Sequence, residues 1–482
     1  AEGLSERALS ACGDGKASVE RFKSVTKKGY SGIYATHKYW GKKPPELCQT
    51  ILENFSEEGE MIVDPFMGSG VMASLCRKNK RHFKGSDINP AAISIATMFT
   101  FPPEVSLVEG VFQKIKVALE EEIRKLYFDD DGNEVTHIIR ENDLVKEVWI
   151  ANGKQIVVGK TREIPYTLLE SELNDEFFGK RLFSNSRINV SVNQNIDSLF
   201  TKRAQVAISK LLSFACTLDD KEQAIAKYIL TSSLGQMSKM VFAIKRRQKP
   251  KNQENQKQYE IGSWVIGYWR PKLYFEVNVW RVFEGRSRKL INALKKLNES
   301  ELSGIDRNKT DSIRFSLSDG FVFMDNFKSK SVDLIVTDPP HNDRIPYLEL
   351  SEIWNGILQK EPDYNAEWVI SNSPDREKTK LEFLKKFDLL FKSSARILKS
   401  TGYLILMYNT KDSDFWKMVK EFNEDSKVCL NYVGKFRADY SAGSVVQDNR
   451  KGALKHDWCL VFGKSEQINL KFKNLPGWTV EC

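Results

Sequence analysis

The sequence predicts an α/β protein in which a doubly wound sheet of seven strands is interrupted by a large inserted region. Seven short apolar runs are the candidate strands, and they begin at Met61, His82, Ile313, Val332, Tyr403, Val428 and Trp458. Helical patterns alternate with most of these runs, as expected when helices cover a sheet. The alternation stops between about Glu109 and Ser303, where a different set of patterns begins.

Length and composition are those of a globular protein with two or three structural units. The chain has 482 residues, of which 41% are hydrophobic and 28% are charged, so it can bury a large core. Lys and Arg outnumber Asp and Glu by 73 to 64, which gives a net charge of +9. This excess is compatible with a polyanionic partner such as nucleic acid. It fits a basic protein without such a partner equally well.

Cysteine usage and hydropathy restrict the compartment. The seven cysteines are scattered and no two form a C-x-x-C pair, which argues against a disulfide framework or a zinc ribbon. We therefore expect a reducing cytoplasm and no metal. No apolar run approaches membrane-spanning length and no signal peptide opens the chain, so no membrane association is expected. Residues 1–30 are expected to form a polar, poorly ordered arm.

The segment Ser31–Glu46, with the sequence SGIYATHKYWGKKPPE, precedes a helical pattern over Leu47–Phe55. It mixes aromatic, basic and proline residues. One interpretation is a lip over a bound cofactor, with Lys38, Tyr39 and Trp40 closest to that cofactor. A structured loop packed beside the helix explains the same composition, and the sequence alone leaves both interpretations open.

A glycine turn follows the first predicted strand. Met61–Asp64 runs into Pro65-Phe66-Met67-Gly68-Ser69-Gly70, and Val71–Arg77 continues as a helix. Glycines let the backbone approach a ligand closely, and a helix N-terminus offers free N–H groups. The turn is not a G-x-G-x-x-G motif, which disfavours nicotinamide binding.

An acidic residue ends the second predicted strand. His82–Ser86 leads to Asp87 and Ile88, after which Asn89 is the expected N-cap of a helix and Pro90 its first residue. In dinucleotide-binding folds an acidic side chain at this position binds the ribose. Together with the glycine turn, it indicates a nucleoside-binding site.

The inserted region carries elements of its own. The sequence predicts a β-hairpin over Val145–Lys160, two helices within Leu199–Phe242 and a further helix over Val282–Leu297. The hairpin is indicated by Asn152-Gly153, a favoured turn pair, between two apolar runs. Because the insert separates the two motif-bearing parts of the chain, it is the candidate target-recognition region.

A basic cluster follows the two predicted helices of the insert. Its cationic residues are Lys245, Arg246, Arg247, Lys249 and Lys251. An aromatic group lies downstream and consists of Trp264, Tyr268, Trp269 and Tyr274. Basic and aromatic residues together suit phosphate contact and base stacking, so the cluster is a candidate nucleic-acid contact. A solvated loop beside an aromatic core is the alternative.

A proline strap ends the fourth predicted strand. Val332–Val336 is followed by Thr337-Asp338-Pro339-Pro340-His341. Each proline fixes φ and lacks an N–H, and the residue before each is pushed towards an extended conformation. The Asp338 carboxylate and the Pro339 carbonyl are therefore held in set directions, where they can accept both N–H bonds of a planar amino group. Asp-Pro-Pro is also a common turn, so the strap needs support from a second motif.

The last part of the chain returns to the alternating pattern. Ile313–Leu317 ends in Ser318-Asp319-Gly320, where Asp319 either lines the site or caps a turn. Helices are predicted over Leu348–Leu358, over Leu381–Leu398, closed by Lys399–Gly402, and over Phe415–Phe422. Val428–Phe436 and Trp458–Phe462 are predicted to form a hairpin joined by the long loop Arg437–Asp457.

With both motifs in order, the chain resembles the S-adenosylmethionine-dependent amino-methyltransferases that modify DNA. Asp64–Gly70 matches their cofactor motif D-P-F-x-G-S-G, and Thr337–His341 resembles their catalytic motif [DNS]-P-P-[YFW]. Ile345–Glu352 and Gly452–Lys455 look like a group of adenine-specific DNA methylases, some of which carry a zinc ribbon. The resemblance covers about residues 34–100 and 312–463 and implies a Rossmann-like methyltransferase sheet.

Two departures separate the chain from the family pattern. His341 replaces the aromatic residue that stacks on the extruded base, and a neutral imidazole stacks more weakly. The zinc-ribbon cysteines are absent, so the resemblance carries over no metal.

The resemblance implies an S-adenosylmethionine site and a neighbouring base pocket. The implied cofactor-binding residues are Lys38, Tyr39, Trp40, Asp64, Pro65, Phe66, Gly68, Ser69, Gly70, Asp87, Ile88 and Asp319. Of these, Gly68–Gly70 would pass the methionine part, Asp87 would bind the ribose hydroxyls, and Asp64 would approach the amino group. A flipped base would enter a pocket formed by Asp338, Pro339, Pro340 and His341, with Asp338 as orienting acceptor rather than nucleophile.

The implied reaction is methylation of an exocyclic amine at a specific site in double-stranded DNA. Adenine N6 is favoured because Asp-Pro-Pro is the commoner adenine form, and cytosine N4 is the alternative. Cytosine C5 chemistry needs a thiolate, usually in Pro-Cys, and the chain has no such pair. Transfer-RNA guanine-N2 methyltransferases share both motifs but usually carry an RNA-binding domain first, whereas only about sixty residues precede Asp64 here. A non-catalytic homologue that binds DNA or cofactor remains a further alternative.

These expectations divide the chain into five parts. We expect an arm over 1–30, a cofactor half over 31–108, an inserted recognition region over 109–303, a catalytic half over 304–466 and a tail over 467–482. The expected partner is double-stranded DNA, and a restriction or defence-system partner is compatible with the same reading.

Overall fold

The described part of the chain contains two sheets, each accompanied by helices. In this computed structural model the described residues are 30–166, 172–246, 257–264, 267–300, 312–340, 345–371, 373–376, 378–408, 413–424, 430–438, 457–464, 472 and 475–480. The predicted N-terminal arm lies outside these residues apart from Tyr30, as does much of the predicted tail.

The part before the insert alternates helices and strands, and its last helix continues into the insert. Its elements are α1 (Pro45–Phe55), β1 (Met61–Asp64), α2 (Val71–Lys78), β2 (His82–Asp87), α3 (Pro90–Thr100) and α4 (Val105–Lys125). A 3-10 turn over Gly32–Ala35 precedes them. As predicted, Asn89 caps α3, because its side chain accepts a hydrogen bond from the Ala91 N–H, and Pro90 is the first helical residue.

The insert contains six strands and four helices in its described residues. They are β3 (Val135–Glu141), β4 (Leu144–Asn152), β5 (Gln155–Val158), α5 (Asp175–Phe178), α6 (Lys202–Ala215), α7 (Asp220–Met237), β6 (Val241–Lys245), β7 (Tyr259–Trp264), β8 (Leu273–Val277) and α8 (Val279–Ser300). The predicted hairpin is present as β4 and β5, and both predicted helices are present as α6 and α7.

The part after the insert returns to alternation. Its elements are β9 (Ile313–Leu317), α9 (Gly320–Asp325), β10 (Val332–Thr337), α10 (Tyr347–Leu350), α11 (Glu352–Leu358), α12 (Lys380–Ile397), β11 (Leu398–Met407), α13 (Ser413–Glu424), β12 (Asn431–Ala438) and β13 (Asp457–Gly463).

The seven-stranded sheet has the order β12-β13-β11-β10-β1-β2-β9. Strands β9, β2, β1, β10 and β11 are parallel, and β13 runs antiparallel to both of its neighbours. The predicted α/β class with a parallel-rich sheet is therefore confirmed. Because β1 lies between β10 and β2, the carboxyl ends of these three strands meet at one edge of the sheet.

Helices cover both faces of this sheet, and neighbouring strand residues pack into different cores. Ile62 and Leu334 belong to a core shared with α1, α2 and α3. Val63 and Ile335 belong to a second core with Phe387 of α12 on the other face. This double burial explains why the central strands read as continuous apolar runs rather than alternating ones.

The structure corrects two predicted helix boundaries. Leu398 begins β11 and pairs with Val332, so Lys399–Gly402 lies in the strand and does not close α12. The helical pattern over Leu348–Leu358 forms two helices, α10 and α11, that meet at Ser351. No helix in the described ranges is long and apolar enough to cross a membrane.

A six-stranded antiparallel sheet inside the insert was not predicted. Its order is β5-β4-β3-β8-β6-β7, so distant segments pair. Strand β3 pairs with β8, for example, across more than a hundred residues of chain. The helix α4 was also missed, although α4 and α8 pack against each other and against α7.

Candidate active site

A cleft opens where β1, β2 and β10 end. It encloses about 900 Å³, counted to its open mouth. The predicted residues that line it are Tyr39, Trp40, Asp64, Phe66, Gly68, Ser69, Asp87, Ile88, Asp319, Asp338 and Pro340. The two sequence motifs, which are more than 260 residues apart, therefore share one cleft.

The glycine turn between β1 and α2 is held in a conformation that needs glycine. Gly68 and Gly70 have φ values of 53° and 70°, in the left-handed region. A Cβ on Gly70 would lie 2.4 Å from the Ala96 Cβ, and one on Gly68 would lie 3.1 Å from the Tyr39 ring. The turn therefore lets α2 approach α3 closely and leaves the Gly68 backbone at the wall of the cleft.

Asp87 binds this turn from the end of β2. One carboxylate oxygen accepts a hydrogen bond from the Gly68 N–H at 2.9 Å, and the other accepts from the Asn89 N–H at 2.8 Å. Burial raises the pKa of Asp87 to about 6, against the lowering effect of these two backbone donors. Near neutral pH the side chain is therefore mostly an anion and a strong acceptor.

Asp64 connects the two strand ends directly. Its Oδ1 accepts hydrogen bonds from the Phe66 N–H at 3.1 Å and from the Thr337 hydroxyl at 3.0 Å. The Asp64 side chain is buried, and this burial, with smaller contributions from Asp338 and Asp87, raises its pKa to about 8. The two hydrogen bonds lower the pKa of Asp64, but by less than burial raises it.

Asp338 forms an ion pair with Lys43. The Lys43 Nζ lies 2.8 Å from the Asp338 Oδ2, and both side chains are largely buried. The pair joins the proline strap to the lip, since Lys43 directly precedes Pro44 and Pro45 at the start of α1. The sequence showed this lysine only as part of Gly41-Lys42-Lys43, without any sign of its partner.

The neighbouring Lys42 braces the lip from inside. Its Nζ donates to the carbonyl oxygens of Tyr34 and His37, at 2.5 and 2.9 Å. Burial lowers the pKa of Lys42 to about 7. The two consecutive lysines therefore have different roles: Lys42 binds the lip backbone, and Lys43 forms the ion pair with Asp338.

The aromatic residues of the lip line the cleft, whereas its Lys38 does not. Tyr39 stacks on Tyr347 at 6.1 Å between ring centroids, and Trp40 stacks on Trp354 at 4.4 Å. The structure corrects the placement of Lys38, whose Nζ lies 4.3 Å from the Trp264 ring centroid in the inserted sheet. Lys38 is held there by the Ser263 hydroxyl and the Trp264 carbonyl oxygen, which lie 3.4 and 3.5 Å from its Nζ.

Asp319 combines the two roles considered for it. Its Oδ1 accepts hydrogen bonds from the N–H groups of Phe321 and Val322 at the start of α9, and the residue also lines the cleft. Glu367 and Trp368 line the cleft as well and were not predicted. Glu367 is fixed by hydrogen bonds from Arg376 and the Leu348 N–H, which are tertiary contacts without a local sequence signal.

The other predicted site residues support the cleft or lie elsewhere. Pro65, Gly70 and Pro339 belong to the two turns but are not among the residues that line the cleft. Lys245 and Arg246 are exposed at the end of β6, where Arg246 pairs with Glu260 at 3.0 Å. The predictions for His341, Arg247, Lys249 and Lys251 fall outside the described residues.

A family model matches the part of the chain that carries the cofactor motif. Residues 17–98 match a family model described as DNA methylase. The type II methyltransferase M.MjaII of Methanocaldococcus jannaschii is 27% identical over 150 residues, which are 31% of this chain and 26% of that protein. The type II methyltransferase M.XycI of Xanthomonas campestris pv. cyanopsidis is 30% identical over 73 residues, 15% of this chain and 23% of that protein.

These matches support a DNA methyltransferase family. They are partial, since the chain spans about a quarter of the length of each of these two relatives. Among solved structures, the rRNA methyltransferase aviRa from Streptomyces viridochromogenes overlays with a TM-score of 0.27 at 11% identity, over 90% of this chain and 91% of that one. A structural similarity this weak does not establish a shared fold or activity.

Proposed function

We propose that the protein is an S-adenosylmethionine-dependent DNA methyltransferase that methylates the exocyclic amine of a flipped base, with adenine N6 as the favoured target. The observation that carries the proposal is the shared cleft. The Asp64–Thr337 hydrogen bond at 3.0 Å ties the end of β1 to the end of β10, directly before Asp338. A cofactor bound at the glycine turn would thus lie beside the proline strap.

The cleft residues fit a cofactor that carries positive charge. Asp64, Asp87 and Asp338 converge there, and burial raises the pKa values of Asp64 and Asp87, so that a bound cation would stabilise their charged forms. S-adenosylmethionine has an ammonium and a sulfonium group, and its sulfonium-bound methyl is already electrophilic. Asp64 would bind the ammonium group, Asp87 the ribose hydroxyls, and the Gly68 backbone would pass the methionine part.

The strap would orient the acceptor amine. In this proposal the Asp338 carboxylate, which lines the cleft, accepts an N–H bond of the amine and so directs the nitrogen lone pair towards the methyl group. Lys43 supports this role, because a cation 2.8 Å away favours the charged carboxylate that accepts best. The cofactor would supply the methyl group and remain as a neutral thioether, and the proton that the nitrogen loses would pass to water.

The proposed division of labour follows the two sheets. The parts 31–108 and 304–466 would bind cofactor and target base, because β1, β2, β9 and β10 all come from them. The part 109–303 would recognise the DNA sequence, with the six-stranded sheet as its framework. The Asp-Pro-Pro sequence favours adenine N6, although the family match alone does not separate adenine N6 from cytosine N4.

Methyl transfer from labelled S-adenosylmethionine tests the proposal. Duplex DNA and transfer RNA are incubated separately with the protein, then digested to nucleosides and analysed by mass spectrometry. We expect N6-methyl-2′-deoxyadenosine from DNA. N4-methyl-2′-deoxycytidine would correct the target base, and N2-methylguanosine from transfer RNA would replace the proposal. Cofactor binding without any transfer would indicate a non-catalytic homologue.

A further inference from the structure

A second cavity lies in the insert, between the six-stranded sheet and α8. It encloses about 1130 Å³, counted to its open mouth. Strand residues such as Ile261 and Trp264 form one wall, and Arg281, Arg286 and Lys289 of α8 form the other. The described residues that line this groove include no Asp or Glu, so its lining carries only positive charge.

The cations of the groove are poorly compensated. Arg281 has a carboxylate partner, Glu134, at 3.4 Å. The buried Nε of Arg286, in contrast, has no hydrogen-bond partner within the described part of the chain. Partial burial, and to a smaller extent the nearby Arg286, lower the pKa of Lys289. A site of this kind attracts anions.

Lys38 places the groove next to the candidate active site. Its Nζ lies 3.4 Å from the Ser263 hydroxyl, and burial together with Arg286 and Lys289 lowers its pKa to about 8. The next residue, Tyr39, lines the cleft. The lip therefore separates the two cavities by the thickness of one chain segment.

The shape of the groove fits an extended anion better than a single phosphate. From Arg281 to Lys289 the helix rises about 12 Å, at 1.5 Å per residue. Gly285 lies between these cations, and a Cβ added there would meet nothing within 4 Å. Because Gly285 has no side chain, the surface of the helix is recessed at the centre of the groove, where a nucleic-acid backbone can approach it.

We propose that this groove binds the phosphodiester backbone of duplex DNA beside the base that enters the cleft, through Arg286, Lys289 and Lys38. The assignment rests on the proposed function, because DNA is the expected substrate. It differs from the basic cluster around Lys245, since Lys245 and Arg246 do not line the groove.

The test is the salt dependence of duplex binding. Fluorescence anisotropy with a labelled duplex of mixed sequence compares the wild type with Arg286→Gln/Lys289→Gln. The matched control is Arg288→Gln/Lys295→Gln, which removes two charges from the same helix outside the groove, where they pair with Glu284 and Glu109. Each lost phosphate contact lowers the slope of log K against log salt by about 0.9, so we expect the groove variant to lose about 2 and the control little.

The affinity for duplex DNA should fall together with the salt dependence of binding. At about 0.1 M salt the groove variant should bind duplex DNA at least about tenfold more weakly than the control. Lys289→Gln alone, a change at an exposed position, should lower the slope by about 1 and serves if the double variant does not fold. Unchanged slopes in both variants would overturn the groove assignment, and so would a loss confined to duplex RNA.

The result of this binding test can be distinguished from the result of the methyl-transfer test of the proposed function. Anisotropy reports binding whether or not methyl transfer occurs. If the wild type methylates DNA but the groove variants bind like the control, the proposed function stands and the groove assignment fails. If the wild type binds duplex DNA through the groove yet transfers no methyl group, the proposed activity fails and the groove assignment stands.

Discussion

At the scale of single residues, the Lys43–Asp338 pair links the lip to the proline strap. The ion pair is short and largely buried, so little water screens it. Asp338 in turn contributes to the raised pKa of the neighbouring Asp64. Lys43 therefore supplies a positive charge beside Asp338 and holds the strap against the lip, and we regard it as a positioning residue.

Replacing Lys43 tests that role. Lys43→Gln should reduce the rate of methyl transfer about tenfold or more, because the Asp338 carboxylate would lose the cation that lies 2.8 Å away. The dissociation constant for S-adenosylmethionine separates this effect from a general structural one, since it should stay within about threefold of the wild-type value. Lys43→Arg keeps the positive charge and should retain most of the activity. An equal loss of activity in Lys43→Arg would contradict the electrostatic role.

The raised pKa of Asp64 predicts that the protein releases a proton when it binds the cofactor. Its pKa is raised to about 8, so near pH 7 most molecules carry the proton, and the ammonium group of the cofactor should lower this pKa and expel it. Calorimetry at pH 7 in buffers of different ionisation enthalpy should show release of most of one proton. Asp64→Asn should abolish the release. Equal binding enthalpies in all buffers for the wild type would contradict the assignment.

The same shift fixes the sign of a stability effect. The unfolded carboxyl titrates near pH 4 and the folded one at about 8, so between these values the unfolded state loses its proton first. Asp64 therefore makes the cofactor-free protein less stable as the pH rises from about 4 to about 8.

At the scale of elements, the junction of β1, the glycine turn and α2 determines the shape of the cleft. The left-handed Gly70 caps α2, and its Cα lies against Ala96 of α3. Asp87 then holds the turn through the Gly68 N–H. The sequence revealed this junction because each requirement is local: a strand, two glycines, and an acidic residue after the next strand.

A pair of glycine substitutions tests this junction. Gly70→Ala should lower the free energy of unfolding by about 2 kcal/mol or more, because the new Cβ meets Ala96 and the left-handed φ is strained. Gly110→Ala lies at an exposed position of α4 where a Cβ meets nothing, and it should raise the same free energy by up to about 1 kcal/mol. Denaturant unfolding measures both, and a neutral Gly70→Ala would show that the turn is not tightly held.

At the scale of the whole molecule, what the sequence reveals depends on the distance over which contacts act. Four strand starts (Met61, His82, Ile313 and Val332), the glycine turn, Asp87 and the strap could be predicted because their signals lie within a few residues. The contacts of Lys43 and Thr337 could not, since Asp338 and Asp64 lie far along the chain. Those of Glu367 could not either, because its partners Arg376 and the Leu348 N–H follow no local sequence pattern. The inserted sheet was not predicted because its strands pair over long sequence distances. Strand β8 pairs with both β3 and β6, and no local sequence pattern predicts such pairing.

The inserted sheet also changes how its role in recognition should be tested. Strand β4 lies between β3 and β5, so deleting 145–160 would remove an internal strand and expose the edge of β3. Loss of site selection in that deletion would then report a damaged framework. Substitutions of exposed side chains on the sheet or in the groove leave the framework intact and give a clearer test.

The most direct measurement compares cofactor binding with methyl transfer in Asp338→Ala. The control is Asp325→Ala, an exposed aspartate on α9. If the glycine turn and the strap form one active site, Asp338→Ala should bind S-adenosylmethionine within about threefold of the wild type yet lose methyl transfer by about a hundredfold or more, while the control keeps both. Methyl transfer at the wild-type rate in Asp338→Ala would contradict the account.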